Sequence, residues 1–191
     1  MASITILGNG NMGQAIAGLA GKAGYDLQVL DVDSADTAVT GDIVVLAVPH
    51  PAVAEIISAR GAELVGKVVV DITNPVNFET FDSLVVPPDS SKTAEIAAAL
   101  PQSHVVKAFN TTFAGTLASG VVGENPTTVL VAGDDAEAKD AVTAFVTAAG
   151  LKVKDAGSLK RARELEAFGF LQIGLAASEQ IGWTGGFAVV A

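Results

Sequence analysis

Residues 3–17 read Ser-Ile-Thr-Ile-Leu-Gly-Asn-Gly-Asn-Met-Gly-Gln-Ala-Ile-Ala, an apolar run that stops at Gly8 and resumes with helical periodicity. Glycines at 8, 10 and 13 between a strand and a helix are typical of a turn that binds a dinucleotide. Gly8 allows a tight exit from the strand, Gly10 lets the backbone approach a pyrophosphate, and Gly13 lets the helix lie close to the sheet. The sequence therefore predicts cofactor contacts along the whole turn: Gly8, Asn9, Gly10, Asn11, Met12 and Gly13.

An acidic residue at the end of the second apolar run indicates which dinucleotide is bound. Asp31 lies 18 residues after Gly13, where a carboxylate can accept hydrogen bonds from the adenosine ribose. A 2′-phosphate would be repelled there by Asp31 and Asp33, and no Arg or Lys occurs between Lys22 and Arg60. We therefore predict NAD as the preferred cofactor over NADP. The alternative is that Asp31 caps a turn and a distant lysine reaches the phosphate.

Composition restricts the classes of partner. The 191 residues are 50% hydrophobic and carry a formal charge of -10, which disfavours nucleic acid and anionic membranes as partners. The chain has no cysteine and two histidines, so we expect neither disulfides nor a metal site. A strand begins within three residues of the N-terminus and no apolar run is long enough to span a bilayer. We therefore expect a cytoplasmic protein.

Short Val/Ile/Leu-rich runs alternate with helical patterns along the chain. This alternation predicts an α/β fold, a Rossmann-type, doubly wound and mainly parallel sheet with a C-terminal helical segment. We predict strands at 4–7, 27–30, 43–48, 67–72, 105–109, 127–132 and 151–155. We predict helices at 12–23, 53–59, 92–100 and 135–149, with an abbreviated second crossover at 31–41.

The pattern changes after residue 157. We expect residues 1–157 to form the NAD(P)-binding domain and residues 158–191 to form a C-terminal helix and tail. The helix is predicted at 158–181 with Ser158 as its N-cap, and the tail carries the only tryptophan, Trp183. Because this segment is rich in large apolar groups, we expect it to pack on the domain and to form a homodimer interface.

The carboxyl ends of the third to fifth strands carry the remaining candidates, since ligands of such sheets bind at that edge. Ala47, Val48, Pro49 and His50 suit a loop along the cofactor, whereas His104 precedes a strand and belongs at the opposite edge. Amides at Asn74 and Asn110 suit the carboxamide or ribose, and Phe109 or Phe113 suits stacking on a ring.

Each of these candidates also has a structural alternative. Asn74 is then a turn residue before Pro75, Phe109 a core residue and Lys107 a paired structural charge, and no nucleophile with a recognisable base is evident. The catalytic candidates are Asn110, Lys107 and His50.

Several stretches together carry a family resemblance over nearly the whole chain. They are 8–13 (Gly-Asn-Gly-Asn-Met-Gly), 47–49 (Ala-Val-Pro), 71–75 (Asp-Ile-Thr-Asn-Pro), 106–111 (Val-Lys-Ala-Phe-Asn-Thr) and 155–159 (Asp-Ala-Gly-Ser-Leu). On them the chain resembles the coenzyme F420-dependent NADP oxidoreductases.

The resemblance implies direct hydride transfer between a nicotinamide and a planar, small-molecule redox acceptor, a flavin or an F420-type deazaflavin. It places 8–13 at the pyrophosphate, 48–50 along the cofactor, and Asn74, Ala108 and Asn110 near the nicotinamide. Pro75 and Phe109, beside these residues in the sequence, are further predicted cofactor contacts. Where that family commonly has a Ser-Arg pair to hold the 2′-phosphate, this chain has Asp31-Val32.

Two other functions remain open from the sequence. The motif Gly10-Asn11-Met12-Gly13 also resembles pyrroline-carboxylate reductase, an imine reductase that normally adds a larger helical dimerisation domain. The absence of an evident acid or base also fits a non-catalytic dinucleotide-sensing module that presents Trp183 to a partner.

Overall fold

Nine strands and six α-helices form along residues 2–34 and 36–190, the ranges that the computed structural model describes, with only the backbone described at Val32. Outside these ranges lie Met1, Ala35 and Ala191. Met1 is the first residue of the predicted NAD(P)-binding domain, and Ala191 is the last residue of the predicted C-terminal segment. The strands are β1 (Ser3–Leu7), β2 (Asp26–Leu30), β3 (Ile43–Leu46), β4 (Val68–Asp71), β5 (His104–Lys107), β6 (Val121–Val122), β7 (Asn125–Pro126), β8 (Thr128–Gly133) and β9 (Lys152–Gly157). The helices are α1 (Asn11–Ala23), α2 (Val53–Arg60), α3 (Lys92–Ala99), α4 (Ala114–Ser119), α5 (Ala136–Ala148) and α6 (Ala162–Ala177).

Seven strands form one sheet in the order β2-β1-β3-β4-β5-β8-β9. The first five strands in this order are parallel, β8 is antiparallel to β5, and β9 is parallel to β8. The chain turns to opposite sides of β1 to form β2 and then β3, so the topological switch point lies between β1 and β3. This mainly parallel, Rossmann-type sheet confirms the predicted fold class.

Helices cover both faces of the sheet, and successive side chains of each strand point alternately to one face and the other. Ile4 and Ile6 pack with Phe145 in one buried cluster, which includes residues of α1 and α5. Leu7 and Leu46 pack with Ile96 in a second cluster, which includes residues of α2 and α3. Strands covered on both faces must be apolar throughout, which explains the continuous Val/Ile/Leu runs in the sequence.

The second crossover is abbreviated, as predicted. Within the described part of 31–41, the only helical element is one 3₁₀ turn, Val32–Ser34. In contrast, sequence reasoning missed the short helix α4 and the two-stranded hairpin β6-β7, since neither is long enough to show a periodic pattern.

The C-terminal helix is shorter than the predicted 158–181. Its first turn winds as a 3₁₀ helix, Leu159–Arg161, and the Ser158 hydroxyl makes no cap; Asp134 Oδ1 instead accepts a hydrogen bond from the Leu159 N–H at 2.9 Å. At the other end Glu179 has a positive φ of 58°, which stops the helix after Ala177. Among the described ranges, no helix combines the length and apolar character needed to cross a membrane.

Candidate functional site

The glycine turn leaves β1 at the switch point, and its three glycines differ in what a side chain would meet. A Cβ at Gly8, which has a φ of +115°, would collide with the Ala47 carbonyl oxygen, and one at Gly13 would collide with the carbonyl oxygen of Gly8. A Cβ at Gly10 would meet nothing within 4 Å. The fold itself therefore requires glycine at 8 and 13, whereas at 10 the space is left open for a ligand.

The first turn of α1 lies at the same edge and has no side-chain cap. Gly10 is the N-cap in an extended conformation, and the turn contains no acidic residue. The backbone N–H groups of Asn11, Met12 and Gly13 at this helix start therefore face outward without an intrahelical acceptor. With the positive end of the helix dipole, they form a place for a pyrophosphate.

A cavity of about 320 Å³ lies beside the turn, at the ends of β2 and β3. Its lining includes Asp31 and six other predicted cofactor contacts, from the glycine turn and the end of the third strand: Gly8, Asn9, Gly10, Ala47, Val48 and Pro49. Asp31 Oδ1 accepts hydrogen bonds from the Asp33 N–H at 3.1 Å and from the Ser34 hydroxyl at 2.9 Å. The local turn thus holds the Asp31 carboxylate at the cavity wall.

Arg60 of α2 also lines this cavity, and sequence reasoning did not place it there. Its guanidinium donates hydrogen bonds to the carbonyl oxygens of Ser34, at 2.6 Å, and Thr37, at 2.9 Å, and to Glu63 Oε1 at 3.3 Å. Arg60 therefore ties α2 to the turn after β2. The sequence contains one signal for this role, since Arg60 is the next cation after Lys22. The contact of Arg60 with the turn after β2 forms only when α2 packs on the sheet, so no local pattern predicts it.

A larger cavity of about 720 Å³ lies on the other side of α1. It is bounded by the first turns of α1, the ends of β4 and β5, helix α4 and the C-terminal segment. The lining consists of Asn11, Met12, Gln14, Ala15, Ile72, Asn74, Asn110, Thr112, Phe113, Ala114, Gly115, Ala118, Ile173, Trp183 and Thr184. The structure thus brings the predicted cofactor contacts Asn11, Met12, Asn74 and Asn110 to one cavity, together with the stacking candidate Phe113.

Asn74 and Asn110 form an amide pair at the floor of this cavity. Asn110 Nδ2 donates to Asn74 Oδ1 at 2.9 Å and to the Leu165 carbonyl oxygen at 2.8 Å, and Asn74 Nδ2 donates to the Asn110 carbonyl oxygen at 2.8 Å. Asn110 is 4% exposed, and its Oδ1 has no donor among the described residues. A buried acceptor without a donor is costly, so this oxygen is suited to accept a hydrogen bond from a ligand amide.

Beneath the amide pair lies a fully buried charge cluster. Lys107 Nζ contacts Asp71 Oδ2 at 2.9 Å and Glu166 Oε1 at 3.1 Å, and Asp71 Oδ2 also accepts a hydrogen bond from the Thr93 hydroxyl. Burial alone would raise the pKa of Asp71, but the adjacent Lys107 ammonium and hydrogen bonds from Thr73 and Thr93 hold that pKa below its ordinary value. Lys107 lines neither cavity and is paired with two carboxylates. It therefore has the structural role given above as the alternative to a catalytic one.

Pro75, Ala108 and Phe109 also lie beneath the surface rather than in the two cavities. Phe109 is fully buried with a φ of 63°, and its ring packs on Phe145 with centroids 6.2 Å apart, the core position given above as its alternative. Phe113 instead lines the larger cavity and contacts Trp183, with ring centroids 5.0 Å apart. Sequence reasoning singled out Trp183 for a partner or dimer surface and missed its place in this cavity.

The two histidines lie where the strand order predicts. His50 follows β3, its Nε2 is 3.3 Å from the Val76 carbonyl oxygen, and its ring stacks on Phe78 outside the linings of the two cavities. His104 begins β5 at the opposite edge and contacts Asp135 at 2.9 Å. Over the described part of the chain, no group of His, Asp and Glu side chains is arranged to hold a metal ion.

Comparison with known proteins identifies relatives of this arrangement. No model of a known protein family matches the chain. The chain is 32% identical over 160 residues to the F420-dependent NADP reductase of Methanocaldococcus jannaschii, covering 81% of this chain and 70% of that protein. The structure of a candidate F420-dependent NADP reductase from Arthrobacter sp. FB24 matches with a TM-score of 0.85 and 25% identity, over 100% of both chains.

An imine reductase from Bacillus cereus also matches in structure, with a TM-score of 0.66 and 18% identity. The match covers 94% of this chain but only 62% of the imine reductase. At this identity the likeness shows a shared fold.

Proposed function

Because the chain belongs to the F420-dependent NADP reductase family, we propose that it is an NAD(P)-dependent oxidoreductase that transfers hydride between the nicotinamide and a planar redox acceptor. When bound, the reduced nicotinamide supplies a hydride to the acceptor. The acceptor also takes up one proton from solvent, which completes its reduction to the dihydro form. One observation carries the proposal. The larger cavity is lined both by the first turn of α1, where a pyrophosphate fits, and by the amide pair Asn74–Asn110.

The residues of the two cavities fit the parts of a dinucleotide. The open space at Gly10 and the N–H groups at the start of α1 suit the pyrophosphate, and the Asp31 carboxylate suits a ribose hydroxyl. Asn110 Oδ1, buried and without a donor among the described residues, suits the N–H of a carboxamide. Asn74 Oδ1 accepts a hydrogen bond from Asn110 Nδ2, and Asn74 Nδ2 donates to the Asn110 backbone carbonyl oxygen. Asn74 thereby fixes the direction of Asn110 Oδ1.

The catalytic contribution of this site is alignment and water exclusion. The described residues that line the larger cavity include no Asp, Glu, His, Lys or Arg, so no side chain there is placed to act as an acid or base near neutral pH. Hydride transfer depends on two rings held in contact, and such positioning can supply a large part of a rate enhancement. The apolar walls, among them Met12, Ile72 and Ile173, keep water from the rings.

We further propose that NADH is preferred over NADPH, although the relative from Methanocaldococcus is named for NADP. Asp31 lies at the wall of the smaller cavity, where it would repel a 2′-phosphate. The Arg60 guanidinium in the same wall already donates to two carbonyl oxygens and to the Glu63 carboxylate. A phosphate would have to compete with these contacts.

A titration of the purified protein with NADH and with NADPH, followed by nicotinamide fluorescence, tests the proposal. Riboflavin, a deazaflavin and a quinone are then added in turn, and oxidation of the nicotinamide is followed by its absorbance. We expect binding of NADH and turnover with one of these planar acceptors. Binding without turnover of any acceptor would contradict the enzymatic function and favour the dinucleotide-sensing alternative.

The Asn110→Ala variant distinguishes the same two functions at one residue. If Asn110 Oδ1 orients the nicotinamide, the rate of hydride transfer should fall more than the affinity for NADH, because the pyrophosphate and ribose contacts remain. Single-turnover rates and the Kd for NADH are measured on both proteins. An equal loss in rate and affinity would contradict an orienting role.

A further inference from the structure

Arg60 is the last residue of α2 and lies far from Asp31 in the chain, yet both residues line the smaller cavity. Resting on the dinucleotide site proposed above, we infer that Arg60 determines the cofactor specificity of this cavity by fixing the turn after β2. The fixed turn keeps the Asp31 carboxylate in place against a 2′-phosphate. Arg60 is thus a positioning residue that acts through Asp31 and favours NADH.

The turn after β2 depends on hydrogen bonds for its position. Among the described side chains of 31–38 none is buried, so these side chains do not anchor the stretch in the core. Val39 at its end is buried, and the Val39 N–H donates to Glu63 Oε2 at 2.7 Å. The part of the crossover beside the cavity therefore needs a partner from elsewhere in the fold.

Ser34 connects Arg60 to Asp31. Arg60 Nη2 donates to the Ser34 carbonyl oxygen at 2.6 Å, and the Ser34 hydroxyl donates to Asp31 Oδ1 at 2.9 Å. Arg60 Nη1 also donates to the Thr37 carbonyl oxygen at 2.9 Å, so the guanidinium holds the turn at two backbone positions. A movement of Asp31 away from the cavity would disturb this chain of hydrogen bonds.

The surroundings of Arg60 favour this anchoring role over direct binding of a phosphate. Its side chain is only 12% exposed, and Arg60 Nη1 lies 3.3 Å from Glu63 Oε1. Hydrogen bonds from a charged donor are stronger than those between neutral groups. A phosphate that drew the guanidinium away would leave the Ser34 and Thr37 carbonyl oxygens without these donors, and such a loss is costly.

A fixed Asp31 carboxylate discriminates between the two cofactors more strongly than a mobile one. It accepts a hydrogen bond from a ribose hydroxyl without first having to be ordered. A 2′-phosphate at the same place meets a negative charge that cannot turn towards solvent. If the turn were loose, the carboxylate would withdraw and the repulsion would be relieved. Specificity therefore depends on the anchor as well as on Asp31.

Two ligands without a nicotinamide measure this effect apart from hydride transfer. ADP-ribose and 2′-phospho-ADP-ribose differ by one phosphate, and their Kd values are measured by isothermal titration of the whole protein. We expect Arg60→Met to lower the ratio of the Kd of 2′-phospho-ADP-ribose to that of ADP-ribose by at least about threefold, because Asp31 is released. Arg161→Met is the matched control, since Arg161 contacts Glu164 at 3.4 Å outside both cavities, and it should leave the ratio unchanged.

A double-mutant cycle shows whether Arg60 acts through Asp31. Asp31→Asn alone should lower the same ratio, and addition of Arg60→Met to Asp31→Asn should lower it no further. Ser34→Ala provides a second test that leaves the side chain of Arg60 intact. It removes the hydroxyl that donates to Asp31 and should lower the ratio in the same direction as Arg60→Met.

Three results would overturn the inference. A higher ratio in Arg60→Met would show that Arg60 binds the 2′-phosphate itself. An equal fall of the ratio with and without Asp31→Asn would show that Arg60 acts independently of Asp31. An unchanged ratio in Arg60→Met, or in Ser34→Ala where Arg60→Met does not fold, would show that the anchor has no effect on specificity.

These results are distinct from a failure of the proposed function. If the ratio behaves as inferred but NADH is oxidised with no acceptor, the enzymatic proposal fails and the role of Arg60 stands. If NADH is oxidised but the ratio is unchanged, only the role of Arg60 is overturned. Absence of binding by both ligands would overturn the inference together with the proposed dinucleotide site.

Discussion

Gly10 differs from Gly8 and Gly13 in what surrounds its Cβ position. A Cβ at Gly8 or Gly13 would collide with a backbone carbonyl oxygen, whereas a Cβ at Gly10 would lie in open space. We predict that Gly10→Ala lowers the affinity for NADH by about tenfold or more, since the methyl group occupies the approach of the pyrophosphate. The free energy of unfolding should change by less than about 0.5 kcal/mol, because Gly10 has an extended conformation that alanine adopts. Isothermal titration and urea denaturation measure the two quantities.

Gly18→Ala is the matched control for this prediction. Gly18 lies in α1 with nothing within 4 Å of its Cβ position, so alanine should stabilise the helix by up to about 1 kcal/mol and leave NADH affinity unchanged. A loss of stability without a loss of affinity in Gly10→Ala would show that Gly10 serves the fold alone.

The proposed preference for NADH rests on the Asp31 carboxylate at the end of β2. We predict that Asp31→Ser combined with Val32→Arg shifts the ratio of affinities towards NADPH, because a repelling carboxylate is removed and a cation is added. The Kd values of both cofactors are measured for the parent and the variant. Asp26→Ser removes one carboxylate of the same strand outside both cavities and should leave the ratio unchanged. An unchanged ratio in the double variant would contradict the role of Asp31.

Helix α6 supports the amide pair by packing directly on it. Gly169 allows this contact, since a Cβ there would collide with the side-chain amide of Asn74. We predict that Gly169→Ala displaces Asn74, breaks its hydrogen bonds with Asn110 and slows hydride transfer more than it weakens NADH binding. Gly174→Ala, in the same helix with nothing within 4 Å, should leave the rate unchanged. Equal rates in the two variants would contradict this role of α6.

The buried cluster joins α6 to the sheet through Lys107. The pKa of Asp71 is lower in the folded protein than the usual value of about 4 for an Asp in an unfolded chain. The ionised Asp71 therefore contributes fully to the free energy of unfolding above about pH 4, and this contribution is lost as the pH falls through the pKa of the folded state. We predict that Lys107→Met costs about 3–5 kcal/mol at pH 7, because two buried carboxylates lose their cation. Burial then raises the pKa of Asp71, so the free energy of unfolding of the variant should rise as the pH falls from 7 towards 5.

Urea denaturation at a series of pH values checks this reversal, and a variant that is unfolded at pH 7 but folds at pH 5 would show the same effect. Lys139→Met is the control, since it removes an exposed contact with Asp155 at 2.8 Å and should cost less than about 1 kcal/mol. A Lys107→Met variant whose free energy of unfolding does not rise between pH 7 and pH 5 would contradict the assignment.

The molecule as a whole shows which features a sequence can predict. The glycine turn and the seven strands of the main sheet follow from local patterns, and they were predicted because each is encoded in consecutive residues. The contacts of Arg60, Glu166 and Trp183 join segments far apart in the chain, and no local pattern encodes them. The core position of Phe109 depends likewise on a φ of 63° that its neighbours in sequence do not reveal.

The homodimer and the division at residue 157 stay predictions. Leu171 of α6 is 55% exposed and Val190 of the tail is 76% exposed, which is consistent with an apolar interface on the C-terminal element. We predict a dimer in light scattering of the purified protein and a monomer for Leu171→Glu. The exposed Val85, outside this element, provides the control Val85→Glu, which should remain dimeric. A monomeric parent protein would contradict the prediction.

The central claim is direct hydride transfer from the nicotinamide within an oriented site. The most direct test is single-turnover oxidation of NADH carrying deuterium at C4, with each of the two C4 epimers and riboflavin as acceptor. A site that presents one face of the nicotinamide predicts that deuterium slows the reaction in one epimer only. Equal rates for both epimers and for unlabelled NADH, or oxidation no faster than without the protein, would contradict the account.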